Sequence, residues 1–188
     1  MDSIACFFEE FSSISNDSAL LVNNCIEIAE IKANTIIVRE GDLHPYMYII
    51  RKGMVRGYTE NSDGTEDTNS FWKECETFGD VKSYITNGPV TKSYQALEDL
   101  IVYKVDKVKF RKLFYENIEL ANLGRIIVEN FIFKSDIRQQ ILAEQKPTDR
   151  YLTFCKLRKG IHSKVKLKYI ASFLQITPET LSRVRSAS

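Results

Sequence analysis

The sequence predicts an α+β protein: an N-terminal jelly roll of short strands, one long helix, and a small helical domain after it. Three observations carry this. Between Asn34 and Val105, short runs rich in Val, Ile, Thr and Tyr alternate with Gly, Asn and Asp turns. After Val105 the apolar spacing becomes helical, and it stays so past residue 140. Lys146-Pro147 then interrupts the pattern, and residues 146–188 are strongly basic.

Residues 2–11 and 18–29 read as short helices, the second with Leu20, Leu21, Cys25, Ile26 and Ile28 as its apolar stripe and Asn16 to Ser18 as its start signal. Thr35 to Val38 is a β-branched strand, and Arg39-Glu40-Gly41-Asp42 turns away from it. Tyr46 to Arg51 follows, and Lys52-Gly53 leads into Met54 to Thr59. Asn61-Ser62-Asp63-Gly64 is a hairpin loop, with Thr65 to Trp72 returning from it. Asn87-Gly88-Pro89 marks a further turn. Lys92 to Leu97 and Leu100 to Val105 read as a hairpin over Glu98-Asp99. This succession fits a sandwich or jelly roll better than alternating α/β units.

Asp106 caps a short helix ending near Tyr115, and a long helix runs from Ile118 to about Glu144. Leu120, Leu123, Ile127, Ile137 and Ile141 fall on a seven-residue repeat, with Asn130 and Lys134 as polar members. Such a seam suits a coiled-coil-like homodimer, or the packing of this face on the β domain. Three regions are therefore expected: 1–117 as the β-roll with flanking helices, 118–145 as a dimerisation helix, and 146–188 as a helical domain. Thr148 is expected to cap the first helix of the last region, which ends near Lys159-Gly160.

Composition narrows the function. The 188 residues are 44% apolar and 27% charged, as in globular proteins. No apolar run reaches the roughly 18 residues of a membrane span, and the N-terminus lacks the basic start of a signal peptide. A cytoplasmic protein without a membrane partner is expected. Cys6, Cys25, Cys75 and Cys155 form no Cys-x-x-Cys pair and read as reduced thiols. His44 and His162 are far apart, so neither a metal site nor a cupin-type metalloenzyme can be assembled. No Ser–His–acid or Cys–His arrangement stands out either, and no enzyme, catalytic residue or cofactor is expected. The net charge of +1 conceals −7 over residues 1–145 and +8 over 146–188. A basic end on an acidic body suits a polyanionic partner, or only a solvated face.

Residues 165–185 resolve that choice. Two short helices joined by a tight turn at Leu174-Gln175-Ile176 fit the string. The first buries Leu167, Ile170, Ala171 and Leu174. The second opens with Thr177 as N-cap and Pro178 at its first position. Leu181 and Val184 face inward, while Glu179, Ser182 and Arg183 share the outer face. A helical hairpin carrying a surface Glu–Arg pair would look similar. The basic surroundings favour a helix-turn-helix, with double-stranded DNA as partner.

The string Ile170-Ala171-x-x-Leu174-x-Ile176-Thr177-x-Glu179-Thr180-Leu181-Ser182-Arg183 closely resembles the recognition unit of Crp/Fnr-type transcription regulators. Glu40-Gly41-Asp42, Tyr48-Ile49-Ile50-x-Lys52-Gly53, Asp63-Gly64, Phe78-Gly79-Asp80 and Ala96-Leu97-Glu98-Asp99 follow in the order of that family's cyclic-nucleotide-binding β-roll. The ending, and Asp149-Arg150-Tyr151, are similar to compact members found in Bacteroidetes-type bacteria. The resemblance implies a homodimeric, sequence-specific regulator. DNA contacts are then expected from Thr177, Pro178, Glu179, Thr180, Ser182 and Arg183, and from Lys166 and Lys168, which lie at the first helix of the unit and suit phosphates. Arg183 would read the G of a TTGA-like half-site, and Glu179 the C of the opposing strand.

Departures from the family matter as much. The resemblance places a ligand pocket for an unidentified small-molecule effector at Phe78, Gly79, Asp80 and Lys92. Members that bind cAMP carry Gly-Glu and a clamping arginine there. This chain has Gly79-Asp80 and no arginine between Arg56 and Arg111. Lys92, the nearest cation, is a point charge without the guanidinium fork, so no response to cAMP is expected. The cysteines do not form the set an iron–sulfur cluster needs. Gln175 replaces the family's usual turn glycine, at a cost of about 1 kcal/mol. The sequence ends three residues after Arg185, so the domain is expected to lack a C-terminal wing. The alternative function is a ligand-sensing or interaction module that does not bind DNA. The presence of Glu179 and Arg183 argues against it.

Overall fold

The computed structural model describes residues 14–187. The helix expected over 2–11 and Cys6 lie outside them. In chain order the elements are α1 (Asn16–Asn23), β1 (Ile26–Ile31), β2 (Ile36–Val38), β3 (Tyr46–Lys52), β4 (Val55–Glu60), β5 (Glu66–Trp72), β6 (Thr77–Phe78), α2 (Val81–Thr86), β7 (Ser93–Ala96) and β8 (Leu100–Asp106). They continue as α3 (Lys107–Glu116), α4 (Ile118–Ala143), α5 (Pro147–Leu157), α6 (Leu167–Leu174) and α7 (Pro178–Ala187). The chain forms two compact units. The first comprises residues 1–55 and 72–131, the second residues 56–71 and 132–188.

In the first unit, β1, β8, β3 and β6 form an antiparallel sheet in that order. Ile26 faces Val105, and Tyr46 faces Asp106. Residues 26–31 pair with β8 as the edge strand β1 rather than forming the second half of the helix expected over 18–29. The helix ends at Asn23, where Asn24 caps it. The hairpin expected over Glu98-Asp99 is corrected as well. β7 pairs with β2, matching Ile36 with Gln95, while β8 pairs with β1 and β3. Glu98-Asp99 is a corner between sheets. The Asp99 carboxylate accepts from the Ala33 N–H at 2.9 Å, and Leu97 N–H donates to Met54 O at 2.8 Å. Gly53 has φ +101°, and a Cβ there would lie 2.8 Å from the Asp99 carbonyl oxygen. Only glycine fits.

Aromatic side chains fill the interior of this unit. Tyr48 stacks on Phe78 with ring centroids 4.7 Å apart, and Trp72 and Tyr94 complete the group at 5.5–6.0 Å. Val38, Ile50, Val55, Val90, Ala96, Leu100 and Val102 surround them. A second cluster joins Val22, Met47, Ile49, Tyr103, Val105, Phe110 and Leu113 to Leu120, Leu123 and Ile127 of α4. The first three seam residues of α4 therefore pack on the β domain of their own chain, which was the alternative to a dimer seam. Its exposed apolar residues are Ile118, Ile132 and Phe133, the last 81% exposed. Asp106 caps α3 as expected, accepting from the N–H groups of Val108 and Lys109 at 2.9 Å. Asn117 Oδ1 caps α4 through Glu119 and Leu120.

His44 is half-buried beside Tyr48. Its Nε2 is hydrogen-bonded to the Tyr48 hydroxyl at 2.9 Å. Burial first, then Lys107 and Lys104, lower its pKa from 6.5 to about 4, with Asp42 opposing. Below pH 6.5 the unfolded chain takes up a proton that the folded unit refuses until about pH 4. Stability should therefore fall as pH drops through that window, with no further loss from this group below it. Denaturant unfolding of His44→Gln should show a shallower decline between pH 6.5 and 4. Identical pH profiles would remove His44 from the account.

Candidate nucleic-acid interface

Pro147 opens α5 in the second unit. Lys146 precedes it as N-cap without a side-chain cap bond, so Thr148, expected as the cap, is already inside the helix. A proline lacks the N–H that a cap would have to satisfy, which is why the helix starts there. Gly160, with φ +84°, follows the helix end. α6 then presents a continuous apolar face of Tyr169, Ile170, Ala171, Phe173 and Leu174. Ala171 is 1% exposed, and its small side chain permits close helix approach.

The turn has the geometry its sequence requires. Gln175 is left-handed at φ 53°, ψ 47°. Its N–H donates to Ser172 O, and the Ile176 N–H donates to Ala171 O, both at 3.0 Å. These bonds satisfy the last carbonyls of α6. Thr177 Oγ1 then accepts from the Thr180 N–H at 3.2 Å, capping α7 at Pro178. Leu181 and Val184 are buried. The two helices with this turn form a helix-turn-helix.

The residues expected to meet DNA all belong to this unit. Lys166, Lys168, Thr177, Pro178, Glu179, Ser182 and Arg183 are exposed, and Thr180 is half-buried. Lys166 is the N-cap of α6, and Lys168 Nζ lies 5.0 Å from the Tyr169 ring centroid. Arg183 Nη2 donates weakly to Thr180 Oγ1 at 3.4 Å. The Glu179 backbone N–H, the Thr177 hydroxyl and the nearby Arg183 hold the Glu179 carboxyl below its usual range. A charged acceptor and a guanidinium are thus displayed on one face of the second helix, one turn apart.

Sequence reasoning missed what anchors this face. Arg56 of β4 is 1% exposed. Its guanidinium carbon lies 3.8 Å from the Tyr169 ring centroid and 4.3 Å from that of Tyr58. It donates to Thr68 Oγ1 at 3.2 Å and pairs with Glu66. The Thr68 N–H donates to Ser172 Oγ at 2.8 Å, and that hydroxyl donates to Glu66 O at 3.1 Å. Arg138 grips Asp67 with two nitrogens and the Phe173 carbonyl with Nε. Arg158 donates to Phe71 O, and the Phe71, Phe154 and Phe173 rings pack together. Arg150, singled out in the sequence, holds Glu144 O and Leu174 O. The β4–β5 hairpin is therefore part of the scaffold that positions α6. The one available signal was a lone arginine flanked by Val55 and Gly57-Tyr58 in a strand.

The expected ligand residues are placed in the first unit. Phe78 is in the aromatic interior. Asp80 is the N-cap of α2, accepting from Ser83 N–H at 2.8 Å and from Thr91 N–H at 2.7 Å, with the Thr91 hydroxyl at 2.5 Å. Burial pushes its carboxyl up, but these bonds and the charge of Lys92 outweigh burial and hold it low. Gly79 and Asp80 also border a cavity between α2, α3 and α4, with Met47, Phe110 and Ile127. Cys25, Cys75 and Cys155 are free thiols. Among the described residues no group of His, Cys, Asp and Glu could hold a metal, and no helix is long and apolar enough to cross a membrane.

Residues 28–117 match the cyclic nucleotide-binding domain family. The chain is 27% identical over 104 residues to a cAMP-dependent protein kinase regulatory subunit from Eremothecium gossypii, a match covering 55% of this chain and 21% of that one. It thus spans about a fifth of that relative. Among solved structures it is similar to FixK2 from Bradyrhizobium japonicum, with TM-score 0.72, 20% identity, and coverage of 86% of this chain and 83% of that one. It is also similar to a transcriptional regulator of the crp/fnr family from Eubacterium rectale, with TM-score 0.69, 16% identity, and coverage of 93% and 83%.

Proposed function

We propose that this chain, whose residues 28–117 match the cyclic nucleotide-binding domain family and whose fold is similar to those of Crp/Fnr-type proteins, is a sequence-specific DNA-binding transcription regulator. The kinase regulatory subunit and the crp/fnr-family neighbour are named as regulators, which supports a regulatory role over an enzymatic one. The observation that carries the proposal is the capped helix α7 with Glu179, Ser182 and Arg183 outward and Leu181 and Val184 inward, flanked by exposed Lys166 and Lys168. Major-groove readers present side chains from the N-terminal part of such a helix. The protein acts in the cytoplasm as a homodimer. Because Leu120, Leu123 and Ile127 are occupied by their own chain, the partner is met by the outer face of α4 that carries Ile132 and Phe133.

Phosphate contacts release counterions, so affinity for a duplex should fall steeply with salt. The log–log slope should lose about one unit per phosphate contacted. Fluorescence anisotropy across a salt series measures it. Lys166→Ala should flatten the slope and weaken all duplexes alike, and a slope near zero would contradict the reading.

The β-roll is not read as a cAMP receptor. Asp80 spends both carboxylate oxygens on Ser83 and Thr91, the sequence has no arginine between Arg56 and Arg111, and Tyr48, Trp72, Phe78 and Tyr94 fill the interior. Calorimetric titration with cAMP should show no binding at micromolar concentration. Low-micromolar binding would make Lys92 a substitute clamp and restore the cyclic nucleotide as effector.

A further inference from the structure

A second basic site stands in the first unit, away from the residues assigned to DNA. Helix α3 carries Lys107, Lys109, Arg111 and Lys112 against one acid, Glu116. Its buried side is Phe110 and Leu113. Val108, Arg111, Lys112 and Tyr115 recur at i, i+3, i+4 and i+7, which puts them on one outward stripe. Together with Tyr84, Asn87 and Lys107 they line an open cavity of about 210 Å³.

The charge in this cavity is not cancelled by the protein. No carboxylate lines it, and among the described residues neither Lys107, Arg111 nor Lys112 forms an ion pair. Lys107 Nζ donates to Ser83 Oγ at 3.2 Å, and Arg111 Nη2 reaches Ile85 O only at 3.4 Å. Burial lowers the Lys107 pKa, with Asp80 opposing from a distance. The rings of Tyr84 and Tyr115 supply flat surface. The Arg111 guanidinium is 5.7 Å from the Tyr84 centroid, and Tyr115 is 83% exposed. The Tyr84 hydroxyl is buried and has no hydrogen-bond partner.

We propose that this cavity binds a small phosphorylated ligand, at least doubly negative and carrying a planar ring. Arg111 and Lys112 meet the phosphates, Arg111 through its planar fork and Lys112 as a point charge. Lys107 adds its charge at the inner wall, and Tyr115 takes the ring.

The test is calorimetric titration of the full chain with three probes: ADP (charge and ring), inorganic pyrophosphate (charge alone) and adenosine (ring alone). ADP should bind tightest, pyrophosphate more weakly, and adenosine not measurably. The double substitution Arg111→Ala, Lys112→Ala should weaken ADP at least tenfold. Tyr115→Ala should weaken ADP and leave pyrophosphate unchanged. Both variants replace outward side chains, and unchanged thermal unfolding confirms that they fold. Lys166→Ala, Lys168→Ala should keep ADP binding, which separates this site from the DNA face. The proposal is overturned if wild-type protein binds neither ADP nor pyrophosphate at millimolar concentration. It is also overturned if the double variant binds as wild type, or if only the Lys166/Lys168 variant loses binding.

Discussion

Arg56→Ala is expected to destabilise the second unit by about 3 kcal/mol, the sum of two ring contacts, a buried hydrogen bond and the space left behind. Arg56 is almost wholly enclosed, so water cannot replace what is lost. The Thr68 hydroxyl loses its buried donor, and Tyr169 loses the cation packed against its ring. Arg56→Lys should recover part of the loss, because it keeps the charge but not the planar group that stacks on tyrosine. Urea unfolding followed by circular dichroism reads both variants. The alanine variant should also bind DNA more weakly, because α6 is held through Tyr169 and Ser172. A loss below about 0.5 kcal/mol, the range of an ordinary surface substitution, would show that the hairpin does not anchor the helices.

Arg183→Ala should cost on the order of 1–3 kcal/mol on the preferred duplex, the worth of a bidentate contact to guanine O6 and N7. It should cost far less on a scrambled duplex, where phosphate contacts remain. Arg183 is exposed and makes only a 3.4 Å contact to Thr180, so its removal leaves the fold intact. Gel shifts with both duplexes measure the difference. Equal losses on the two would make Arg183 a phosphate contact and end the proposed readout.

The sequence shows most clearly those features that depend on neighbouring residues. Asp106 before α3, Thr177-Pro178 before α7 and Gln175 in the left-handed turn are local requirements, and each is met where the sequence places it. Errors arose where the partner is distant. Leu97 and Leu100 flank two residues that resemble a hairpin turn, yet β7 and β8 pair with different strands, and pairing is a tertiary choice. Ile26 and Ile28 extend an apolar helical stripe, but β8 supplies the hydrogen bonds that make them a strand. The seam on α4 is periodic whether it faces a second chain or its own β domain, and periodicity alone does not separate the two. The role of Arg56 is not legible in the sequence, because a charged residue in a strand reads as solvent-facing and its aromatic partner Tyr169 comes from another region of the chain.

Selection of genomic DNA fragments by the purified protein, followed by sequencing, tests the central claim most directly. The bound fragments should share a TTGA-like element as two inverted copies about one helical turn apart, because a two-fold dimer places two copies of α7 at that spacing. Arg183→Ala should abolish the enrichment at the G of each half-site. Fragments recovered without any common element, or the same element recovered with Arg183→Ala, would contradict sequence-specific recognition by this helix.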